Sequence, residues 1–386
     1  MSVEELLAVR LAALDDAALR RDLRRRAGHD FASNDYLGFA SDPALTERLR
    51  AALAGTPSGA AGSRLLRGHL ELHEEVEAEL AEFSGAETAL LFPSGYQANL
   101  ALLTALLRKG DILYSDASNH ASLIDAARLS RAERRIFPHG DLAVLEKLLE
   151  SDARAGGMRL IAVESLYSMD GDLADLPALA ELATRHHAGL VVDEAHATGL
   201  WGRGGGRVDA LGLRSKVLAT VHTGGKALGT GGAWIAGSAG LKDYLVNFSR
   251  PVIFSTAATP ALALLLRESA RHWREDGRGE ARAAAVLARA AAFRDALRAA
   301  AGARAQVPAG DGPIVPVVLG GNARALAVAA ELQAAGFDAR AIRPPTVPEG
   351  SARLRLTITW PVDDATRAEF VTALGRILGA EARPQK

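Results

Sequence analysis

Gly189-Leu190-Val191-Val192-Asp193-Glu194-Ala195-His196-Ala197-Thr198-Gly199 is the stretch on which the architecture turns. A short apolar run between glycines, ending in a carboxylate, reads as a strand buried on both faces, the kind found in helix-covered parallel sheets. Such a strand delivers Asp193 and His196 to its carboxyl end, the edge at which open α/β sheets bind ligands. The same pattern recurs outward along the chain. Ala89-Leu90-Leu91-Phe92, Ile112-Leu113-Tyr114-Ser115, Arg159-Leu160-Ile161-Ala162-Val163 and Val217-Leu218-Ala219-Thr220-Val221 are each followed by helical patterning or a glycine turn. From roughly Pro43 to Arg274 this alternation predicts βαβ units and a mostly parallel sheet covered on both faces.

Directly after the last of those runs lies His222-Thr223-Gly224-Gly225-Lys226-Ala227-Leu228-Gly229. The chain has six lysines against thirty-nine arginines, and Lys226 alone of them sits among glycines at a strand end. An amine used as a covalent catalyst must lose its proton near neutral pH, and burial with cationic neighbours promotes that loss. Ser94-Gly95-Tyr96-Gln97-Ala98-Asn99 follows another strand and opens a helix, whose free N–H groups and dipole suit a phosphate dianion. By itself that motif is equally a plain turn.

Asp-x-x-His followed by Thr-x-x-Lys resembles the α-oxoamine synthases, a family within the fold-type I pyridoxal-phosphate enzymes. The resemblance implies pyridoxal 5'-phosphate as cofactor. It makes Lys226 the covalent amine and proton acceptor, Asp193 the partner of the ring nitrogen and His196 the partner of the phenolic oxygen. Gly95 and Tyr96 match phosphate contacts, and His120, in Ser118-Asn119-His120-Ala121-Ser122, matches a ring-stacking histidine. Glu164, Ser168 and Thr223 fall at further cofactor positions, while Asp170-Gly171-Asp172 reads as turn chemistry. Ser255-Thr256 matches a segment that reaches the phosphate of a second subunit, so Thr256 implies a homodimer.

The segment Ala341-Ile342-Arg343-Pro344-Pro345-Thr346-Val347-Pro348 leads into Arg353-Leu354-Arg355, where alternation puts both arginines on one face. Arginine forks suit carboxylates; two solvated edge arginines are the bland reading. The loop matches the biotin-pathway branch of the family most closely, and Asn34-Asp35-Tyr36-Leu37-Gly38 and Ser63-Arg64-Leu65 also fit. That branch implies condensation of L-alanine with pimeloyl-CoA or pimeloyl-acyl-carrier protein, with Arg24, Asn34, Arg343 and Arg355 as substrate-binding residues. Siblings that make aminolevulinate, aminoketobutyrate or ketosphinganine share the cofactor constellation, and a fold-type I aminotransferase is the alternative outside the reaction class. The link from Arg26 to Phe31 is shorter than in the family, and Leu66-Arg67-Gly68-His69 carries an arginine where a small polar residue is commoner.

Composition bounds the rest. The chain has 386 residues, 48% hydrophobic, with a net charge of −1 and no cysteine. Disulfides, thiolate metal sites and a cysteine nucleophile are excluded, no metal is expected, and nothing implies nucleic acid or an anionic membrane. Arg24-Arg25-Arg26 reads as a solvated helix face or an anion contact. Gly202-Arg203-Gly204-Gly205-Gly206 lacks the following Lys-Ser/Thr of a phosphate loop and is read as a turn. An acidic amino terminus without a signal-peptide core, and no apolar run of membrane-span length, make a cytoplasmic protein the expectation. The expected fold is α/β, of the fold-type I kind. Residues 1–40 are an N-terminal helix and short strand, 41–275 a large cofactor-binding domain, and 276–386 a small α+β domain. The boundary is taken at the polar break Glu275-Asp276-Gly277-Arg278-Gly279, and the first helix is expected to run from Val3 to Arg26.

Overall fold

The apolar runs become strands in a computed structural model that describes residues 1–381. In chain order these are β1 (His29–Asp30), β2 (Thr88–Phe92), β3 (Ile112–Asp116), β4 (Glu133–Phe137), β5 (Arg159–Glu164) and β6 (Gly189–Asp193). There follow β7 (Ala219–Thr223), β8 (Ala233–Gly237), β9 (Ile314–Gly320), β10 (Phe337–Asp338), β11 (Ala341–Ile342) and β12 (Ala352–Thr357). Strands β2 to β8 form one sheet in the order β2-β8-β7-β6-β5-β3-β4. The pairs β3–β4, β3–β5, β5–β6 and β6–β7 are parallel, and only β8 runs against its neighbours. Six strands therefore point their carboxyl ends at one edge.

Both faces of this sheet are covered, as the continuous apolar runs require. Along β6, Leu190 and Val192 pack into one core with Ile161, Val163 and Leu145, while Val191 packs into another with Leu160, Leu102 and Leu123. Alternate residues thus serve opposite faces, which is the period of a strand made visible in burial.

The chain divides into two compact units. The larger comprises Leu37–Ser168 and Leu173–Ala284; the smaller comprises Met1–Tyr36, Met169–Asp172 and the chain from Ala285 onward. The expected boundaries were 40/41 and 275/276. Glu275–Gly277 is a short turn, with Asp276 at φ 53°, between the helices Pro260–Arg274 and Arg278–Ala301, and the division falls inside the second of these. The last five residues of the expected 276–386 domain lie outside the described residues.

Residues 1–36 group with the C-terminal unit because β1 pairs in parallel with β10, His29 beside Phe337 and Asp30 beside Asp338. Phe31, fully buried, then packs against Phe293, Phe337 and Phe370 with ring centroids 5.7, 5.9 and 4.3 Å away. Phe31→Ala is expected to cost roughly 3–5 kcal/mol of this unit's stability, read as an earlier midpoint in urea. In the same unit β9, β12 and β11 form an antiparallel sheet.

The first helix is shorter than expected, ending at Asp16 rather than Arg26. Asp15 and Asp16 occupy its last turn, where the negative end of the helix dipole disfavours them, and Ala18 turns into the left-handed region at φ 53°. No residue of this helix is buried.

Candidate active site

Helix Gly95–Leu106 begins just beyond β2, and Ser94 caps it by accepting the Gln97 N–H at 3.3 Å. A side chain at Gly95 would place its Cβ 2.5 Å from Cγ2 of Thr223, at the end of β7. Glycine is what lets the amino end of the helix come this close to the strand edge. The result is a first turn whose N–H groups lack intrahelical partners, lying beside a hydroxyl, which is a fit for phosphate. Tyr96 points outward, 46% exposed, with its hydroxyl donating to the Asp125 carboxylate.

Next along the edge, β6 ends in buried Asp193. Its Oδ2 accepts Nδ2 of Asn99 at 2.7 Å and its Oδ1 the Ala195 N–H at 2.8 Å. His196 follows, also buried. His120 lies beyond the end of β3 and caps helix Ala121–Leu129, its Nδ1 within 2.8 Å of Ser122 Oγ and accepting the Ser122 N–H at 3.2 Å. The ring is open to solvent on one side, yet crowding on the other holds its pKa below the ordinary value; the Lys226 charge adds to this and Asp193 opposes it. Lys226 sits half-buried after β7, in a loop closed by Gly224 N–H donating to Gly232 O at 3.0 Å and Gly229 N–H to Lys226 O at 2.8 Å.

Glu164 ends β5, buried, with Oε1 lacking any hydrogen-bond partner. Burial first, and the Asp193 charge second, push its pKa up to about 8; Lys226 and the backbone N–H groups of His120 and Ser168 oppose the rise. Because the folded-state value lies above the unfolded one of 4.5, the stability from this carboxyl is complete below pH 4.5 and is lost as pH rises toward 8. Glu164→Gln is therefore expected to flatten the fall in apoprotein stability over that window, removing a slope of at most about 1.4 kcal/mol per pH unit. Thermal midpoints at pH 5 and pH 8 measure it.

The structure thus gathers Gly95, Thr223, Asp193, His120, Glu164, Ser168 and Lys226 at one strand edge. Thr256 is exposed after helix Arg250–Phe254, beside Ser255, whose Oγ accepts Nε2 of Gln97 at 3.1 Å. The glycine-rich turn is braced by carboxylates: a Cβ at Gly202 would meet Asp209 Oδ2 at 2.4 Å, and one at Gly206 would meet Glu194 Oε2 at 2.6 Å. Asn99 and Ser122 were not singled out from the sequence. The available signal was a polar side chain on the apolar helix that opens at Gly95.

The smaller unit holds the nominated arginines. Arg355 donates to Asn34 Oδ1 at 2.9 Å and Thr357 Oγ1 at 3.3 Å. Tyr36 lies alongside, its hydroxyl pushed up to about 12 by burial against the opposing Arg355 charge. Arg353 is instead paired with Asp170, so the turn carboxylate has a definite partner. Arg343 donates to the carbonyls of Ala18 and Arg20, and burial, with Arg21 and Arg24, holds its pKa down. Arg24 and Arg343 line a cavity of about 1010 Å³ together with Arg20, Arg21 and Arg340.

Residues 28–374 match the family described as aminotransferase class I and II. The 8-amino-7-oxononanoate synthase of Aromatoleum aromaticum is 44% identical over 383 residues, covering 95% of this chain and 97% of that one. The chain belongs to the 8-amino-7-oxononanoate synthases, within the class I and II aminotransferases. Among solved structures, Sphingomonas wittichii serine palmitoyltransferase aligns with a TM-score of 0.87 at 29% identity over 97% of this chain and 98% of that one. The 8-amino-7-oxononanoate synthase of Francisella tularensis aligns at 0.77 and 25% identity, over 92% and 99%.

The protein is an acyltransferase of fold type I, and pyridoxal phosphate is its cofactor, as in related palmitoyltransferase structures. The residues at the strand edge fit that group: a helix start open to phosphate, an amine, a carboxylate for a ring nitrogen, and the buried, unpartnered Glu164 Oε1. When bound, the cofactor supplies an electron sink for charge developing on the substrate carbon.

Proposed function

We propose that the chain condenses L-alanine with a pimeloyl thioester, releasing carbon dioxide and free thiol and giving 8-amino-7-oxononanoate. What carries this reading is the 44% identity over 95% of the chain to a synthase of that name, with the charges of Asp193 and Lys226 both acting on His120 at one edge. Lys226 Nζ takes the alanine Cα proton. A carboxylate of Asp193 holds a proton on the ring nitrogen, and His196 is assigned to the phenolic oxygen. Neutral His120 can lie against an aromatic ring without adding cationic charge, and the N–H groups at Gly95 and Tyr96 with Thr223 take the phosphate. Arg355, whose guanidinium donates to the side-chain oxygens of Asn34 and Thr357, is assigned the amino-acid carboxylate, which a guanidinium fork suits. The arginine-lined cavity at Arg24 and Arg343 suits the acyl carboxylate.

A homodimer is part of the reading. Phe248 and Phe254, 58% and 70% exposed, flank the chain leading to Thr256, and apolar Leu7 and Val9 of the first helix are exposed at 52% and 58%. Among the described residues no helix is long and apolar enough to cross a membrane, and a cytoplasmic setting accords with these substrates.

A second reading, the same chemistry on another amino acid, is favoured by the higher TM-score to serine palmitoyltransferase. Thiol release by cofactor-loaded protein given pimeloyl-CoA with alanine, serine or glycine in parallel separates the two. Turnover with alanine alone supports the proposal; preference for serine or glycine overturns it.

A further inference from the structure

Asn99 and Ser122 lie between two of the groups just assigned, and both are almost completely buried, at 1% exposure. Asn99 comes from helix Gly95–Leu106 and Ser122 from the first turn of helix Ala121–Leu129. One atom of the Asn99 amide lies 2.7 Å from Asp193 Oδ2 and 2.9 Å from Ser122 Oγ. That atom is the nitrogen, because an amide oxygen so close to a carboxylate would be repelled. Its two hydrogens are then both used, one on Asp193 and one on the Ser122 oxygen.

The consequence passes down the chain of bonds. With its oxygen accepting from Asn99, the Ser122 hydroxyl hydrogen is free to point at His120 Nδ1, 2.8 Å away. The backbone N–H of Ser122 also points at Nδ1, at 3.2 Å. A ring nitrogen receiving two donors has no proton of its own, so a neutral His120 carries its hydrogen on Nε2.

We propose that Asn99 and Ser122 are positioning residues: they join Asp193 to His120 through one directional hydrogen-bond chain, orienting the carboxylate and fixing the imidazole in its Nε2–H tautomer. This rests on the roles given above to Asp193 and His120 and extends them to two residues that touch neither substrate nor cofactor in that scheme. The device works because asparagine is two-handed. Serine alone would leave Asp193 Oδ2 without its amide donor, and a leucine at 99 would leave both the carboxylate and the hydroxyl unsatisfied in a buried setting. Donors at Nδ1 stabilise the neutral ring, in the same direction as the crowding and the Lys226 charge and against the attraction of Asp193. Glu164, at the end of β5, accepts the His120 backbone N–H and is a further titratable group close by.

The test reads the histidine itself. Protein labelled with 15N-histidine, with and without pyridoxal phosphate, is titrated by NMR, with His120→Gln identifying the resonance among the ten histidines. In the unaltered protein the ring is expected to show a bare Nδ1 and a protonated Nε2. Ser122→Ala should raise its titration midpoint by roughly half a pH unit or more, as loss of one hydrogen bond to the neutral form allows, and the acid limb of the kcat profile should move with it. Ser122→Thr, which keeps the hydroxyl, should restore both, and Asn99→Ala should shift the midpoint in the same direction as Ser122→Ala. A proton found on Nδ1, or a midpoint unmoved in folded Ser122→Ala protein, overturns the proposal. If Asn99→Ala does not fold, Ser122→Ala alone decides. Because the NMR readout needs no substrate, a failure of pimeloyl-CoA to turn over would count against the assigned reaction and not against this linkage.

Discussion

Replacing Lys226 with alanine is expected to lower thiol release from pimeloyl-CoA and alanine by at least roughly 10⁴-fold, because the proposal gives one amine both the covalent attachment and the proton transfer. Its location explains why no neighbour substitutes. Five of the six lysines lie elsewhere in the chain, and the neighbouring strands β2 to β6 end in Phe92, Asp116, Phe137, Glu164 and Asp193, none of which offers an amine. Lys226→Arg should be nearly as inactive as Lys226→Ala, since the charge is kept and the base is lost. Borohydride reduction followed by mass measurement should attach pyridoxal phosphate to the unaltered protein and to neither variant. The loop itself should survive, since backbone hydrogen bonds from Gly224 to Gly232 and from Gly229 to the Lys226 carbonyl close it whatever the side chain. Full activity in purified, folded Lys226→Ala would sink the assignment.

The second large effect is at Asp193. Asn has nearly the same shape, and its side-chain oxygen can still accept the Ala195 N–H that Oδ1 now receives at 2.8 Å. Cofactor retention should therefore be near normal. What disappears is the negative charge that the proposal assigns to holding a proton on the ring nitrogen, together with the charge-assisted bond from Asn99. Loss of one preorganised electrostatic group in a buried site costs on the order of 10²–10³ in rate, so kcat for alanine should fall by that factor with KM for pimeloyl-CoA little changed. Two titrations report the same charge independently. Asp193 raises the pKa of both His120 and Glu164, so both should fall in Asp193→Asn. A variant with full cofactor and a kcat within tenfold of the unaltered protein would remove Asp193 from its role.

Much of this arrangement is legible in the chain because its information is local. A run such as Leu190-Val191-Val192 has to be covered on both faces wherever it sits, and the core clusters on either side of β6 carry out that requirement. Gly95, Asp193, Thr223 and Lys226 were nominated because each lies next to such a run, and a parallel sheet sends every such position to one edge. Asn99 and Ser122 were missed for the converse reason: each lies in a helix, 23 residues from the other, and only the packing of the two helices brings their side chains to 2.9 Å. The first helix was overextended because apolar spacing continues through Leu19, while the ending is set by two aspartates in the last turn and a left-handed Ala18.

By itself, then, the sequence determined the strand runs, the direction in which they present their ends and the covalent lysine candidate, since these follow from short-range pattern and side-chain chemistry, while the cofactor class came from the family resemblance those motifs carry. The tertiary structure alone decided how the carboxylates at neighbouring strand ends are received, and that burial pushes the pKa of Glu164 up to about 8. Asp193 and Glu164 end neighbouring strands with the same chemistry, yet Asp193 receives an amide and a backbone N–H while one oxygen of Glu164 receives nothing. It also decided that residues 1–36 join the C-terminal unit, because the β1–β10 pairing and the Phe31 contacts link positions some three hundred residues apart, and no local pattern specifies a partner at that distance.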